Sequence, residues 1–365
     1  MSYQIPAVPI DTRVFPEHYA IARAEWLERL AMLELPSEHA YFPCRGGGPD
    51  GDLLVTDVVW IGPSSARRLL VLIGGTHGIE GFAGSAVQLD FMRLLANGEF
   101  ELPDDVAVIL IHALNPWGYA WLRRCDEDGV DLNRNFVDFS QTLPPNAHYD
   151  ELRPWLFIQD IQKRKQFLAE WQSKHGRTAL ELAISAGQYH DASGPFYGGT
   201  KPAHGRDVIE HIIEKFALAD KTLAVIDIHT GLGQYGYGEI ICDHAPDSAG
   251  TKMAQRWYGD SVALPLLGTS TSVPKTGLLD YAWHQLMNAQ SCYVTLEFGT
   301  FSTDALFEVL LEDQRVWALH DPLAAHAEHG QIMHRHFCPQ ERAWQEMVLF
   351  RARQVIAQGL FGVAN

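Results

Sequence analysis

The sequence predicts an α/β fold: a mixed, mainly parallel sheet between helices. Three observations carry this expectation. Four short apolar runs, at 69–73, 106–111, 223–228 and 293–296, have the length and near-continuous hydrophobicity of strands buried on both faces. Stretches with helical periodicity, at 82–96, 206–217 and 303–319, fall between or after them. Each apolar run also leads into polar residues and, mostly, glycine: GGTHGIEG, HALNPWGY, HTGLG and EFGT. In open α/β sheets, ligands bind beyond the carboxyl ends of the strands. The topology can therefore bring His77, Glu80, Asn115, His229 and Glu297 to one rim.

The remaining elements follow in chain order. Residues 18–33 place Ala22, Trp26, Leu27, Leu30 and Leu33 on one side of an expected helix. GGGPDG at 46–51 is turn chemistry between expected strands at 41–44 and 53–61. The stretch 137–205 breaks the alternation. It holds a Pro-rich turn, expected helices near 157–173 and 177–187, and then QYHDASGPFYGGTKP. A closing helix is expected over 340–358. The expectation is one catalytic domain over 1–365, with an N-terminal extension (about 1–65) and an insertion (about 137–205) folded over it.

Composition narrows the function. Hydrophobic residues make up 47% of the 365, enough for a substantial core. A net charge of −17 and the lack of any basic block argue against nucleic-acid or anionic-membrane partners. Five scattered cysteines without a CxxC argue against a disulfide framework or a thiolate zinc site. The first twenty residues lack a basic segment followed by an apolar one, and no apolar stretch approaches a membrane span, so a cytoplasmic placement is expected.

The chemistry starts at GGTHGIEGFAGS, residues 74–85. A His and a Glu three apart are also read as an ordinary helix-face pair, but these stand among glycines at a strand end. Catalytic zinc takes three protein ligands from His and carboxylate and leaves a position for water. His229 in VIDIHTGLG is the best third candidate, ahead of His112, which is read as a core or supporting residue. His284, His320 and His326 are read as structural or exposed. Glu297 in YVTLEFGT closes an apolar strand, which is costly unless the carboxylate is bonded or functional. It is the candidate general base. Arg124 and Arg134 in RRCDEDGVDLNRNF offer planar forks for an oxyanion and a carboxylate; each alone also reads as a salt-bridged turn residue.

In order, HGIE, NPWGY, RRCDEDGVDLNRNF, DIHTG and LEFGT resemble the zinc carboxypeptidase superfamily, including its succinylglutamate desuccinylase and aspartoacylase branch. The match is best to an uncharacterised bacterial branch and runs from about residue 69 to 300. The resemblance implies a zinc carboxypeptidase-like (phosphorylase/hydrolase-like) fold. It implies that His77, Glu80 and His229 hold Zn²⁺, one ion expected and a second left open. Glu297 would be the base and then the acid for the leaving amine. Arg124 would stabilise the oxyanion, Asn133 and Arg134 would grip a substrate carboxylate, and Asp131 would orient His77. The pattern departs in STSVPKTGLLDYAW, which has no upstream Tyr where digestive carboxypeptidases carry one; Ser272 lies near that place and Tyr281 reads as packing. Asp126 also stands where Asn is often seen. Tyr189, His190 and Tyr197 could line the cleft from the insertion, though structural roles are favoured.

The leading expectation is a zinc-dependent hydrolase of an amide bond in a carboxylate-bearing small peptide or N-acyl amino acid. A non-catalytic metal-binding relative is the second reading, disfavoured because the base and all three ligands are present. A serine hydrolase or nucleotide-binding enzyme lacks its motif: there is no GxSxG, and GPFYGGTK departs from the P-loop order.

Overall fold

The computed structural model describes residues 5–365; residues 1–4, the start of the N-terminal extension, lie outside the described residues. Eight strands form one sheet: β1 (Ser37–Gly47), β2 (Leu53–Ile61), β3 (Arg68–Gly74), β4 (Val106–His112), β5 (Thr222–Tyr235), β6 (Gly238–Ile241), β7 (Val262–Ala263) and β8 (Cys292–Gly299). Their order is β1-β2-β4-β3-β5-β8-β6-β7. The centre, β4-β3-β5-β8, is parallel, as is β6-β7, while β1-β2, β2-β4 and β6-β8 are antiparallel. The sheet is thus mixed and mainly parallel, and residues 37–61 supply two of its strands.

The apolar runs are strands because both their faces are buried. Alternate residues point to opposite sides. Leu70 and Leu72 of β3 enter one core with α1 (Tyr19–Ala31) and α2 (Gly81–Ala96), whereas Leu69, Val71 and Ile73 enter another. Two polar ties lock the first layer. Trp26 Nε1 donates to Gln88 Oε1 at 2.8 Å, and Gln88 Nε2 donates to the carbonyls of Leu72 and Ile111. Arg353, on the closing helix Arg342–Ala364, donates to both oxygens of buried Asp90 on α2.

The short helix α3 (Pro116–Ala120) follows β4. Residues 137–205 contain α4 (Ala147–Leu156), α5 (Ile161–His175) and α6 (Arg177–Ser185). The first of these was not expected: the Pro-rich turn before it and Pro154 within it mask its pattern, yet it buries Tyr149, Leu152 and Leu156. α7 (His204–Lys215) covers the second core through Val208, Ile209 and Ile212. β5 and β8 run past their apolar runs, because polar and glycine residues continue the ladder as far as Gly231 opposite Gly299. Strands β6 and β7 are too short to leave a pattern in the sequence. No helix among the described residues is long and apolar enough to cross a membrane.

The turn after β3 is set by contact between two backbones. The amides of Gly78 and Ile79 donate to the carbonyls of Arg124 and Arg123, at 3.2 and 2.8 Å. A Cβ on Gly78 would stand 2.1 Å from the carbonyl carbon of Gly118, so only glycine fits without displacing main chain. Gly78→Ala is expected to cost about 1–3 kcal/mol, the range for overpacking. Chemical denaturation should show a lower midpoint; an unchanged midpoint would mean the two backbones can part freely.

Candidate functional site

His77 ends the extended chain leaving β3. Gly78–Glu80 then makes one tight helical turn that leads into α2 and directs Glu80 back beside it. His229 lies within β5, directly opposite Glu297 of β8 in the ladder. His77, Glu80 and His229 each offer one ligand atom, all within 4.8 Å of one another, and all three are buried. No second such group occurs among the described residues.

Carboxylates surround both imidazoles, but only His229 is hydrogen-bonded to them. His229 Nε2 lies 2.7 Å from Asp227 Oδ2, and its Nδ1 lies 3.1 Å from Glu80 Oε2. Asp227 is itself fixed by the hydroxyls of Thr76 and Tyr293, which donate to it at 2.9 and 2.8 Å. Glu80 Oε2 also accepts from the Thr230 amide at 3.0 Å. Burial opposes charge on His229, but the Asp227 carboxylate and the hydrogen bonds to Asp227 and Glu80 raise its pKa well above the ordinary value. In His77 the sign is reversed. Burial, reinforced by the Arg124 guanidinium, lowers its pKa well below the ordinary value and keeps the ring neutral. Its Nε2 stands 2.7 Å from an Arg124 terminal nitrogen; guanidinium only donates, so this Nε2 carries the lone pair. Its Nδ1 lies 3.3 Å from Asp131 Oδ1, outside hydrogen-bond geometry, and is a buried nitrogen without a partner.

These residues fit a zinc ion. Two imidazoles and one carboxylate are a donor set that catalytic zinc takes. The charge balance agrees: positive charge on His229, between Asp227 and Glu80, answers the same surplus of buried carboxylate that a divalent cation would answer.

The other expected residues gather around this group. Arg124 donates through Nε to Asp131 at 2.9 Å and through a terminal nitrogen to Glu80 at 3.2 Å. Asp131 lies behind it, fully buried. Glu297 accepts from the Leu232 amide at 2.9 Å. Burial and the nearby Glu80 carboxylate raise its pKa to about 7, against the pull of His229. Arg134 is wholly buried: Nε and one terminal nitrogen donate to the Ser185 carbonyl at 3.1 and 2.8 Å, and the other terminal nitrogen donates to the Asn133 carbonyl. Asn133 accepts from the Leu279 amide at 2.8 Å. His77, Glu80, His229, Glu297, Arg124, Asn133 and Arg134 line one cleft.

Asn115 does not join them. It caps α3, accepting from Gly118 at 2.9 Å, and its amide donates to the Arg124 carbonyl at 3.3 Å; it shapes the loop behind the cleft. His112 is a core residue, bonded to Ser85 and stacked on Trp26. Tyr281 packs, its hydroxyl donating to the Lys275 carbonyl. Asp126 accepts from the amides of Asp128 and Val130 and so makes a turn. Tyr189, His190 and Tyr197 stand outside the cleft lining. Tyr189 donates to the Arg134 carbonyl at 2.8 Å, while His190 pairs with Asp150 at the surface.

The aromatic that does enter from residues 137–205 is Phe196. It has φ of 55°, a left-handed conformation rare for a bulky residue, and its ring centre lies 5.2 and 5.4 Å from the guanidinium carbons of Arg124 and Arg134. Lys275 and Asp243 also line the cleft and were not foreseen. Burial, with the Arg134 charge, lowers the pKa of Lys275 to about 8. Neither Phe196 nor Lys275 sits on a periodic element. The only cues were the glycines after each, Gly198-Gly199 and Gly277, which mark constrained loops.

The family model described as "Protein of unknown function (DUF2817)" matches residues 15–351. No curated protein matches the chain. Similar solved structures include carboxypeptidase A from Helicoverpa armigera, 15% identical, covering 89% of this chain and 75% of that one, with a TM-score of 0.46. Another is succinylglutamate desuccinylase from Chromobacterium violaceum, 15% identical, covering 87% and 74%, with a TM-score of 0.38. A third is an aspartoacylase family protein from Mesorhizobium loti, 14% identical, covering 79% and 68%, with a TM-score of 0.40. With its family model spanning nearly the whole length, the chain belongs to the DUF2817 family.

Proposed function

We propose that this protein is a zinc-dependent hydrolase that cleaves an amide bond in a small carboxylate-bearing substrate, either a short peptide or an N-acyl amino acid. The observation that carries the reading is the buried His77–Glu80–His229 group with Glu297 opposite His229 on the neighbouring strand. Zinc bound there would supply Lewis acidity and make a water easier to deprotonate.

The chain's own residues divide the remaining work. Glu297 takes the proton of the attacking water as the new C–O bond forms. It returns that proton to the nitrogen as the C–N bond breaks, so the amine leaves neutral and Glu297 is restored. Arg124 presents positive charge, fixed by Asp131 and Glu80, to the developing oxyanion. Arg134 has three of its five N–H groups on backbone carbonyls; the others, with the Asn133 amide, would receive a substrate carboxylate. Asp227 holds the His229 imidazole in place by a hydrogen bond, and Asp131 fixes Arg124 beside His77.

Metal content of protein purified without an affinity tag tests the site. About one zinc per chain is expected in the wild type, and His77→Ala should lose it. Protein that takes up no metal even when zinc is added back would remove the hydrolase reading. A second expectation concerns the base. Glu297→Gln should keep its zinc and its fold but lose at least about 100-fold in kcat on any amide the wild type cleaves, as removal of a general base does. Retention of most of the rate would mean that another group takes the proton.

A further inference from the structure

Lys275 is unexplained by the hydrolytic assignments above. It stands on the segment between β7 and β8 that faces the cleft, in the run TSVPKTG, residues 271–277. Both ends of this run are anchored. The Thr271 amide donates to Glu239 Oε1 at 3.0 Å, and its hydroxyl bonds the other Glu239 oxygen. The Thr276 amide and hydroxyl donate to the Ala186 carbonyl at 3.0 and 2.9 Å. Gly277 has φ of 69°, and a Cβ there would stand 2.2 Å from the Arg134 carbonyl oxygen, so the run closes tightly against the arginine segment. Lys275 is thereby presented into the cleft from a braced loop.

Its bonding leaves it available. An ammonium has three N–H groups. One donates to Ser272 Oγ and one to the Val273 carbonyl at 3.0 Å. No carboxylate among the described residues forms an ion pair with it, although Asp243 and Glu297 line the same cleft. Arg124 already has Asp131 and Glu80 as partners. Asp243 and Glu297 attract this half-buried ammonium only from beyond ion-pair distance, and a carboxylate at hydrogen-bond distance would stabilise it further.

We propose that Lys275 is a substrate-binding residue that ligates a carboxylate of the bound molecule, so that the loop at 271–277 selects anionic substrates. This rests on the hydrolase reading only in assuming that the cleft receives a carboxylate-bearing molecule. The carboxylate has two sources: the α-carboxylate at the end of the substrate, or a carboxylate on its side chain. The loop carries the ammonium in both cases, and the partner group decides what is selected.

The test is calorimetric binding, which needs no turnover. N-acetylglutamate, N-acetylglutamine and N-acetylglutamate α-amide would be titrated into wild type, Lys275→Met and Lys275→Arg, each with zinc content and melting temperature checked. A charge-assisted hydrogen bond of this kind corresponds to a roughly 10- to 100-fold change in Kd. Lys275→Met should weaken N-acetylglutamate by that factor, with Lys275→Arg recovering part of it. If the loss is also seen with N-acetylglutamine and vanishes with the α-amide, the α-carboxylate is the partner. If it is seen with the α-amide and vanishes with N-acetylglutamine, the side-chain carboxylate is. Equal weakening of all three compounds, no weakening, or no binding to the wild type would overturn the proposal. The hydrolase reading is judged separately: amide cleavage that survives in Lys275→Met alongside unchanged binding removes only the role of Lys275. Lysine-dependent carboxylate binding in a protein that cleaves no amide removes only the hydrolase.

Discussion

Burial of charge is the constraint around which this site is built. Asp227, His229, Glu80, Arg124, Asp131 and His77 form a chain of contacts between 2.7 and 3.3 Å, in which almost every carboxylate faces a cation or an imidazole. An unpaired charge at such depth is expensive, and removing one partner leaves the other stranded. The arrangement therefore holds as a unit. It depends on the turn at Gly78–Glu80 lying against the 123–124 carbonyls, because only there do His77 and Glu80 meet the guanidinium of Arg124.

The 137–205 stretch takes part in this unit. The Asp131 amide donates to the Tyr197 carbonyl at 2.7 Å, Arg134 donates to the Ser185 carbonyl, and Tyr189 donates back to the Arg134 carbonyl. Phe196 lays its ring near both arginines. Residues 137–205 thus form one wall of the cleft and hold the arginine segment in position. A lid that merely covered the domain would not need these ties.

Much of this was legible in the sequence because it follows from periodicity and burial cost. The four central strands announce themselves as apolar runs. His77, Glu80, His229 and Glu297 are conspicuous as polar residues at the ends of those runs, and all four line the cleft. Asn115 satisfied the same criterion yet turned its side chain to cap a helix, since a strand-end position does not fix where a side chain points. Phe196 and Lys275 were invisible for the opposite reason. Loop residues enter a cleft through tertiary bonds to distant segments, such as Ala186 to Thr276, and these leave no local pattern. β6, with four residues, is a strand because β8 is there to pair with, and β7, with two, because β6 is.

His229 and Glu297 face each other across adjacent central strands, in register, about 5 Å apart along the hydrogen-bonding direction as strands are. Their spacing is a property of the sheet ladder and does not depend on any loop. Phe196 and Lys275, by contrast, owe their positions to bonds outside the ladder, such as Gln188 to Phe196, Thr271 to Glu239 and Thr276 to Ala186. A change in the 137–205 or 271–277 segment can therefore move those side chains without altering the register of His229 against Glu297.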